Sequence, residues 1–159
     1  MMYDNKNLIV DVSTFVQETK KLSWRSPSNI ALVKYWGKYG RQYPKNPSIS
    51  ITLRNAYTDT SLQYQIKEKP TNNIALQFTF EGKENAAFAQ KIVRFFESIT
   101  PVFPFLTQFN FTISSHNSFP HSSGIASSAS SMSALALCLC SMERNLFGTL
   151  KEETAFLQK

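Results

Sequence analysis

FPHSSGIASSASSMSALALCLC, residues 119–140, runs a Pro/Ser/Gly loop straight into a small, apolar helix. In the loop Pro120-His121-Ser122-Ser123-Gly124-Ile125-Ala126-Ser127-Ser128, side chains are small where backbone N–H groups would have to approach a ligand. A phosphate-cradling loop needs that. From about Ser128 the residues are Ala, Ser, Met, Leu and Cys, uncharged until Glu143, which predicts a helix apolar on nearly every side and therefore buried. At a dry helix N-terminus the unpaired N–H groups and the positive dipole end favour an anion. Gly124 and the hydroxyls of Ser122, Ser123, Ser127 and Ser128 could complete its hydrogen bonds. A plainer reading is equally open, in which Ser127 or Ser128 is an N-cap and Gly124 a turn residue. The stretch lacks G-x-x-x-x-G-K-[ST], so a P-loop is not indicated.

Moving toward the N-terminus, Phe109 to Ser115 alternates as a strand and leads through His116-Asn117 into the loop. Residues 84–99 repeat Phe88, Ile92, Phe95 or Phe96, and Ile99 at helical spacing, a helix that lies on the sheet before Pro101 and Pro104 end it. Three alternating segments precede it. Ile74 to Phe80 puts Ile74, Leu76, Phe78 and Phe80 on one face, Thr60 to Ile66 does the same with Leu62, Tyr64 and Ile66, and Ser48 to Leu53 reads as a half-buried strand. Residues 67–73, with Pro70 and Asn72-Asn73, suit a hairpin loop between two of them. Leu22 to Ser26 reads as a short strand, extended before Pro27, with Ser28-Asn29 turning the chain. A short helix is expected around residues 12–19. Strands, a helix, a strand, the loop and a buried helix make an α+β order rather than a doubly wound sheet.

Ile30-Ala31-Leu32-Val33-Lys34-Tyr35-Trp36-Gly37-Lys38 is a second unusual stretch, an apolar run closing with two lysines and two large aromatics around a glycine. Lys34 and Lys38 either snorkel to solvent from an ordinary strand end or meet an anion.

With 159 residues, 42% hydrophobic and 13% aromatic, the chain is long enough for one domain with a core. Its net charge of +6 suits an anionic partner. The basic residues are scattered rather than blocked, which disfavours an extended nucleic-acid surface. Met1 to Val10 has no signal-peptide core and no apolar run nears a membrane span, so a cytoplasmic location is expected. Cys138 and Cys140, two apart in a helix, point to different faces, which argues for core packing over a disulfide or a metal site. Thr149 to Glu152 has the spacing of a capping box with Thr149 as N-cap, and the new helix it opens stops after about ten residues, so the chain reads as cut off mid-architecture.

SNIALVKYWGK (28–38) and FPHSSGIASSAS (119–130), with NPSISITL (46–53) and SSHNSFP (114–120) similarly placed, resemble the paired signatures of the diphosphomevalonate decarboxylase family of the GHMP kinase superfamily. The resemblance runs from about residue 22 to 148. It implies an α+β, ribosomal protein S5 domain 2-like N-terminal domain, an antiparallel-rich sheet packed with helices. Residues 1–20 would be an N-terminal extension and 21–159 the ATP-binding domain, truncated at its C-terminal end, with the C-terminal GHMP domain absent. The activity implied is ATP-dependent decarboxylation of (R)-5-diphosphomevalonate to isopentenyl diphosphate in isoprenoid biosynthesis, with Mg2+. The implied partners are diphosphomevalonate and ATP, with no nucleic acid and no membrane, and homodimerisation is left open. The resemblance assigns Tyr35, Trp36 and Lys38 to the substrate's diphosphate end, Asn29 to the same wall, and Lys34 to orienting the segment. It makes Gly124, Ile125, Ala126, Ser127 and Ser128 the nucleotide-phosphate loop, flanked by Ser122 and Ser123. Ser131 departs from it, standing where the family commonly has glycine. The family's catalytic aspartate belongs to a later part, and Asp4, Asp11 and Asp59 match no such motif, so the catalytic residue is unknown. A related GHMP small-molecule kinase and a nucleic-acid-binding module of S5-like fold are the alternatives, and Lys34 to Lys38 resembles the decarboxylases more closely than the kinases.

Overall fold

Between Pro47 and Pro70 the chain contains neither proline nor glycine and alternates polar with β-branched or aromatic residues, so nothing interrupts a strand. The computed structural model, which describes residues 8–13, 15, 18–40, 43–69, 71–120 and 123–159, accordingly shows one strand of 18 residues, β4 (Ile49–Ile66), where two separate strands are expected. It pairs antiparallel with β1 (Lys20–Val33) along nearly its whole length. Pro27 does not turn β1 as its neighbours Ser28-Asn29 suggest. The register merely shifts between Pro27 and Asn29, because β1 is an edge strand, where a missing N–H removes no ladder bond.

The sheet order is β1, β4, β7 (Phe109–Asn117), β5 (Ala75–Phe80), β6 (Lys83–Glu84). A separate two-stranded ribbon joins β2 (Lys38–Tyr39) to β3 (Tyr43–Pro44). β4 and β7 are antiparallel, whereas β5 and β7 are parallel. The expected hairpin between β4 and β5 is therefore not formed: β7 lies between them, and the crossover α1 (Ala86–Ile99) carries the chain from β5 back to the same end of the sheet. Pro70 of that connection lies outside the described residues. The mixed sheet with helices is the α+β class that the element order implies.

Two helices cover one face. α1 buries Ile92 and Phe96, and α2 (Ser127–Phe147) lies across β1 and β4. Between helices and sheet, Leu62, Tyr64, Phe109, Phe111 and Ile113 are at most 2% exposed, with Phe96 edge-on to Phe111 at 5.3 Å and Tyr64 edge-on to Phe109 at 5.6 Å. Five such side chains contribute about 1.5–3 kcal/mol each. Leu8, Val10 and Phe15 also pack on this core. No helix forms among the described part of residues 12–19, where Asp11 instead accepts hydrogen bonds from the backbone and hydroxyl of Ser13. Cys138 and Cys140 are free and buried, as expected of core residues. Their thiols are pushed up to about 12 and about 11 by burial, which leaves them protonated and inert.

Gly148 ends α2 in the left-handed conformation, φ 67°. The following helix, α3 (Glu153–Gln158), starts at Glu152 rather than at Thr149. Thr149 does not cap it because its hydroxyl donates to Glu143 Oε1 at 2.9 Å. Among the described residues no helix is long and apolar enough to cross a membrane.

Candidate functional site

The 118–126 loop is tied down at both ends. Ser118 donates its backbone N–H to the Tyr57 carbonyl at 2.9 Å, its Oγ accepts from the Tyr57 N–H at 2.9 Å, and its hydroxyl donates to the Asn55 carbonyl at 3.0 Å. One serine thus extends the β4–β7 ladder past its last pair. At the far end the Ala126 N–H donates to the Asn29 carbonyl of β1 at 3.1 Å, which places Asn29 against the loop. Beneath, Thr58 Oγ1 lies 2.7 Å from both Asn117 Oδ1 and Ser130 Oγ, joining β4, β7 and α2 through buried hydroxyls.

Neither Ser127 nor Ser128 caps α2 as the plainer reading expects. Ala126 occupies the N-cap of α2, and no side chain caps the helix. The hydroxyls of Ser130 and Ser131 turn back to the Ser127 carbonyl at 3.0 and 2.9 Å, inside the helix. No acidic residue stands in the first turn to offset the dipole. The N–H groups of Ser128 and Ala129 are therefore presented to whatever enters. Gly124, at φ 79° with open space where a Cβ would be, holds the turn. The expectation of a dry N-terminus needs correcting: α2 is buried continuously from Cys138 to Glu143, while Ser128 and Ala129 are exposed. The small residues that let a ligand approach also leave that end bare. Ser122 and His121 lie outside the described residues; Ser123 and Gly124 are exposed.

Beside this helix end a cavity of about 370 Å³ opens between α1 and α2, lined by Phe78, Phe80, Asn85, Phe88, Lys91, Asn117, Ser127, Ser128 and others. Phe78 and Phe88 stack at 4.9 Å and form an apolar wall. Sequence periodicity assigns both rings to the core, and only the placement of the two helix starts turns them into a lining.

Tyr35, Trp36 and Lys38 lie elsewhere. From Asn29 to Val33 the strand rises ~13 Å, and the three residues follow beyond its end. Trp36 is 83% exposed, too open for a core residue. Lys34 and Lys38 are exposed as well, and the Lys38 ammonium sits 5.6 Å over the Tyr35 ring. The structure thus brings Asn29 to the loop and keeps Tyr35–Lys38 together at the far end of the β1–β4 ribbon.

Of the aspartates, Asp4 lies outside the described residues and Asp11 is taken up by Ser13. Asp59 faces away from α2, held by Arg25 at 2.7 and 2.8 Å. Among the described residues no three His, Cys, Asp or Glu side chains gather as a metal site.

Residues 26–154 match the family described as diphosphomevalonate decarboxylase-like N-terminal domain. The diphosphomevalonate decarboxylase of Debaryomyces hansenii is 33% identical over 126 residues, covering 74% of this chain and 32% of that protein. The structure of mevalonate pyrophosphate decarboxylase from Streptococcus pyogenes superposes with a TM-score of 0.65 at 27% identity, covering 91% of this chain and 43% of the other. Mevalonate diphosphate decarboxylase from Enterococcus faecalis, described for mevalonate diphosphate-mediated ATP binding, superposes with a TM-score of 0.62 at 26% identity, covering 83% and 44%. The chain spans about a third of the length of the curated relatives it matches.

Proposed function

Because this chain belongs to the family of diphosphomevalonate decarboxylase-like N-terminal domains, we propose that it is the nucleotide-binding part of a cytoplasmic enzyme that converts (R)-5-diphosphomevalonate to isopentenyl diphosphate with ATP. The observation that carries this reading is the N-terminus of α2, without a side-chain cap and joined to Asn29 by the Ala126 hydrogen bond. Ser123, Gly124, Ile125, Ala126, Ser127 and Ser128 would hold the nucleotide's phosphates through backbone N–H groups and hydroxyls. The cavity walled by Phe78 and Phe88 is of a size and polarity to take the base. Tyr35, Trp36 and Lys38 would receive the substrate's diphosphate, with Asn29 on the wall between the two sites. Mg2+ would ride on the nucleotide's phosphates, as that ion commonly does where a protein offers few carboxylates.

ATP supplies the phosphoryl group that makes the tertiary hydroxyl a leaving group. The proton of that hydroxyl must pass to a base as its oxygen is phosphorylated, before phosphate leaves and carbon dioxide is lost, and neither Asp11, taken up by Ser13, nor Asp59, held by Arg25, is placed to accept it. We place that base in the part of the relatives' length that this chain does not span. Calorimetric titration with ATP and Mg2+ tests the reading: the chain is expected to bind ATP, and Gly124→Val, which forces a β-branched residue into φ 79°, is expected to weaken binding at least tenfold. Absence of any ATP binding would sink the phosphate loop. Residues 1–159 alone are expected to release no carbon dioxide from diphosphomevalonate and ATP, and turnover would overturn the assignment of the base.

A further inference from the structure

Asn46 sits between β3 and β4, and its side-chain amide bridges two legs of chain. Its Oδ1 accepts the Trp36 backbone N–H at 2.6 Å, and its Nδ2 donates to the carbonyls of Lys34 at 3.3 Å and Pro47 at 2.9 Å. Next to it the Lys45 N–H donates to the Gly37 carbonyl at 3.2 Å. Residues 34–37 belong to no strand, so the amide stands where a ladder partner would otherwise be. It holds the peptide groups on both sides of Tyr35. Those bonds set the backbone of Tyr35 and Trp36 and, through Gly37 at φ 78°, the approach of Lys38 to the Tyr35 ring. All three amide hydrogen bonds are solvent-exposed, where such bonds add little to fold stability. The core does not explain them, whereas the shape of the 35–38 segment does. A side-chain amide offers an acceptor oxygen and an NH2 with two donor hydrogens on one short planar group, which matches the one accepted and two donated bonds. Aspartate would lose the donor, and glutamine would overreach by one methylene.

We infer that Asn46 is a positioning residue that presets Tyr35–Lys38 for a diphosphate group without touching the ligand. The inference rests on the reading of that segment as the diphosphate site. Its test is titration of inorganic pyrophosphate, at low ionic strength, into the wild-type chain, Asn46→Ala, Lys38→Ala and the double variant, with thermal melts alongside. Asn46→Ala is expected to weaken pyrophosphate binding about tenfold while its melt stays at the wild-type midpoint. In the double variant the loss should be no greater than for Lys38→Ala alone, because Asn46 acts through the segment that carries Lys38. Asn46→Leu, of similar shape with neither acceptor nor donor, should behave like Asn46→Ala and serves if the smaller residue perturbs folding. Wild-type binding with unaffected Asn46 variants, or losses that add in full to that of Lys38→Ala, would overturn the inference alone. Failure of the wild-type chain to bind pyrophosphate would remove the diphosphate reading and the inference with it.

Discussion

The two ends of β4 carry the same kind of sequence and meet different fates. Ile49 and Ile51 alternate with serines just as Leu62, Tyr64 and Ile66 alternate with polar residues, yet the first two are 59% and 51% exposed and the other three at most 2%. The difference lies in what reaches each end. β7 pairs with β4 only over Thr58 to Ile66, and α1, α2 and the core rings gather there. At the other end β1 and β4 run on as a two-stranded ribbon that leaves Ile30, Leu32, Val33, Ile49 and Ile51 bare and leads to Tyr35–Lys38. Alternation in a sequence reports the pleat of a strand. Whether an apolar face is covered depends on elements far away in the chain.

The sharpest test of this contrast is a pair of truncations. Phe96→Ala, in the covered half, is expected to cost about 4 kcal/mol of stability through lost contacts and a cavity. Ile51→Ala, on the ribbon, is expected to change it by about 0.5 kcal/mol or less. Urea unfolding of the 159-residue chain measures both, and a loss at Ile51 comparable with that at Phe96 would mean that something covers the ribbon in solution.

A slightly smaller effect marks the edge of the covered half. Glu143 and Lys159 meet at 3.1 Å with side chains 2% exposed, beneath an α3 that also sets Phe156 against Trp24. Glu143→Gln removes the carboxylate opposite a buried ammonium and is expected to cost about 3 kcal/mol, read from the same unfolding curves. A cost near zero would show that α3 is not docked in solution and that the covered half ends at α2.

Between the two regions lies the Thr58, Asn117 and Ser130 junction. Thr58→Val keeps the shape and strips the hydroxyl from two buried partners, for an expected loss of about 1–2 kcal/mol. Because Ser130 belongs to the first turn of α2, ATP affinity should fall as well. Lost stability with unchanged ATP affinity would confine the junction to the covered half.

These contrasts explain what was legible in the sequence. Leu62, Tyr64 and Ile66, and Phe88, Ile92 and Phe96, declare their faces because a burial repeat is local. The serine-rich loop and Lys34–Lys38 stand out because small residues before an apolar helix, and lysines within an apolar run, are locally costly choices. The partner of β5 was not legible: its place beside β7 depends on a crossover through α1, and the turn residues of 67–73 suit a hairpin equally well. Thr149 fits a capping box by spacing and is claimed by Glu143 instead, since a buried carboxylate needs a donor more than an exposed helix start needs a cap. Asn46 looks like any turn asparagine until Trp36 and Lys34 are folded against it.

The smallest expected effect is on the uncovered face of the sheet, where Arg25, Asp59 and His116 sit on three adjacent strands. The hydrogen bonds from Arg25 hold the Asp59 carboxyl below the ordinary carboxylate range; burial opposes them, and the attraction of Arg25 and then His116 adds smaller pulls in the same direction. A carboxyl that is more acidic in the folded chain stabilises it at pH values above its unfolded pKa of about 3.9, and that contribution disappears as the pH falls through the folded value. Asp59→Asn should therefore be slightly less stable than wild type by a constant margin above about pH 5, with the margin closing on acidification below about pH 4. A margin that persists undiminished well below pH 4 would show that the Asp59 carboxylate charge is not its source. Because Arg25 and Asp59 are open to solvent, salt screens their attraction, so the margin should also shrink in 1 M NaCl, whereas the cost of Phe96→Ala, which involves no charge, should not.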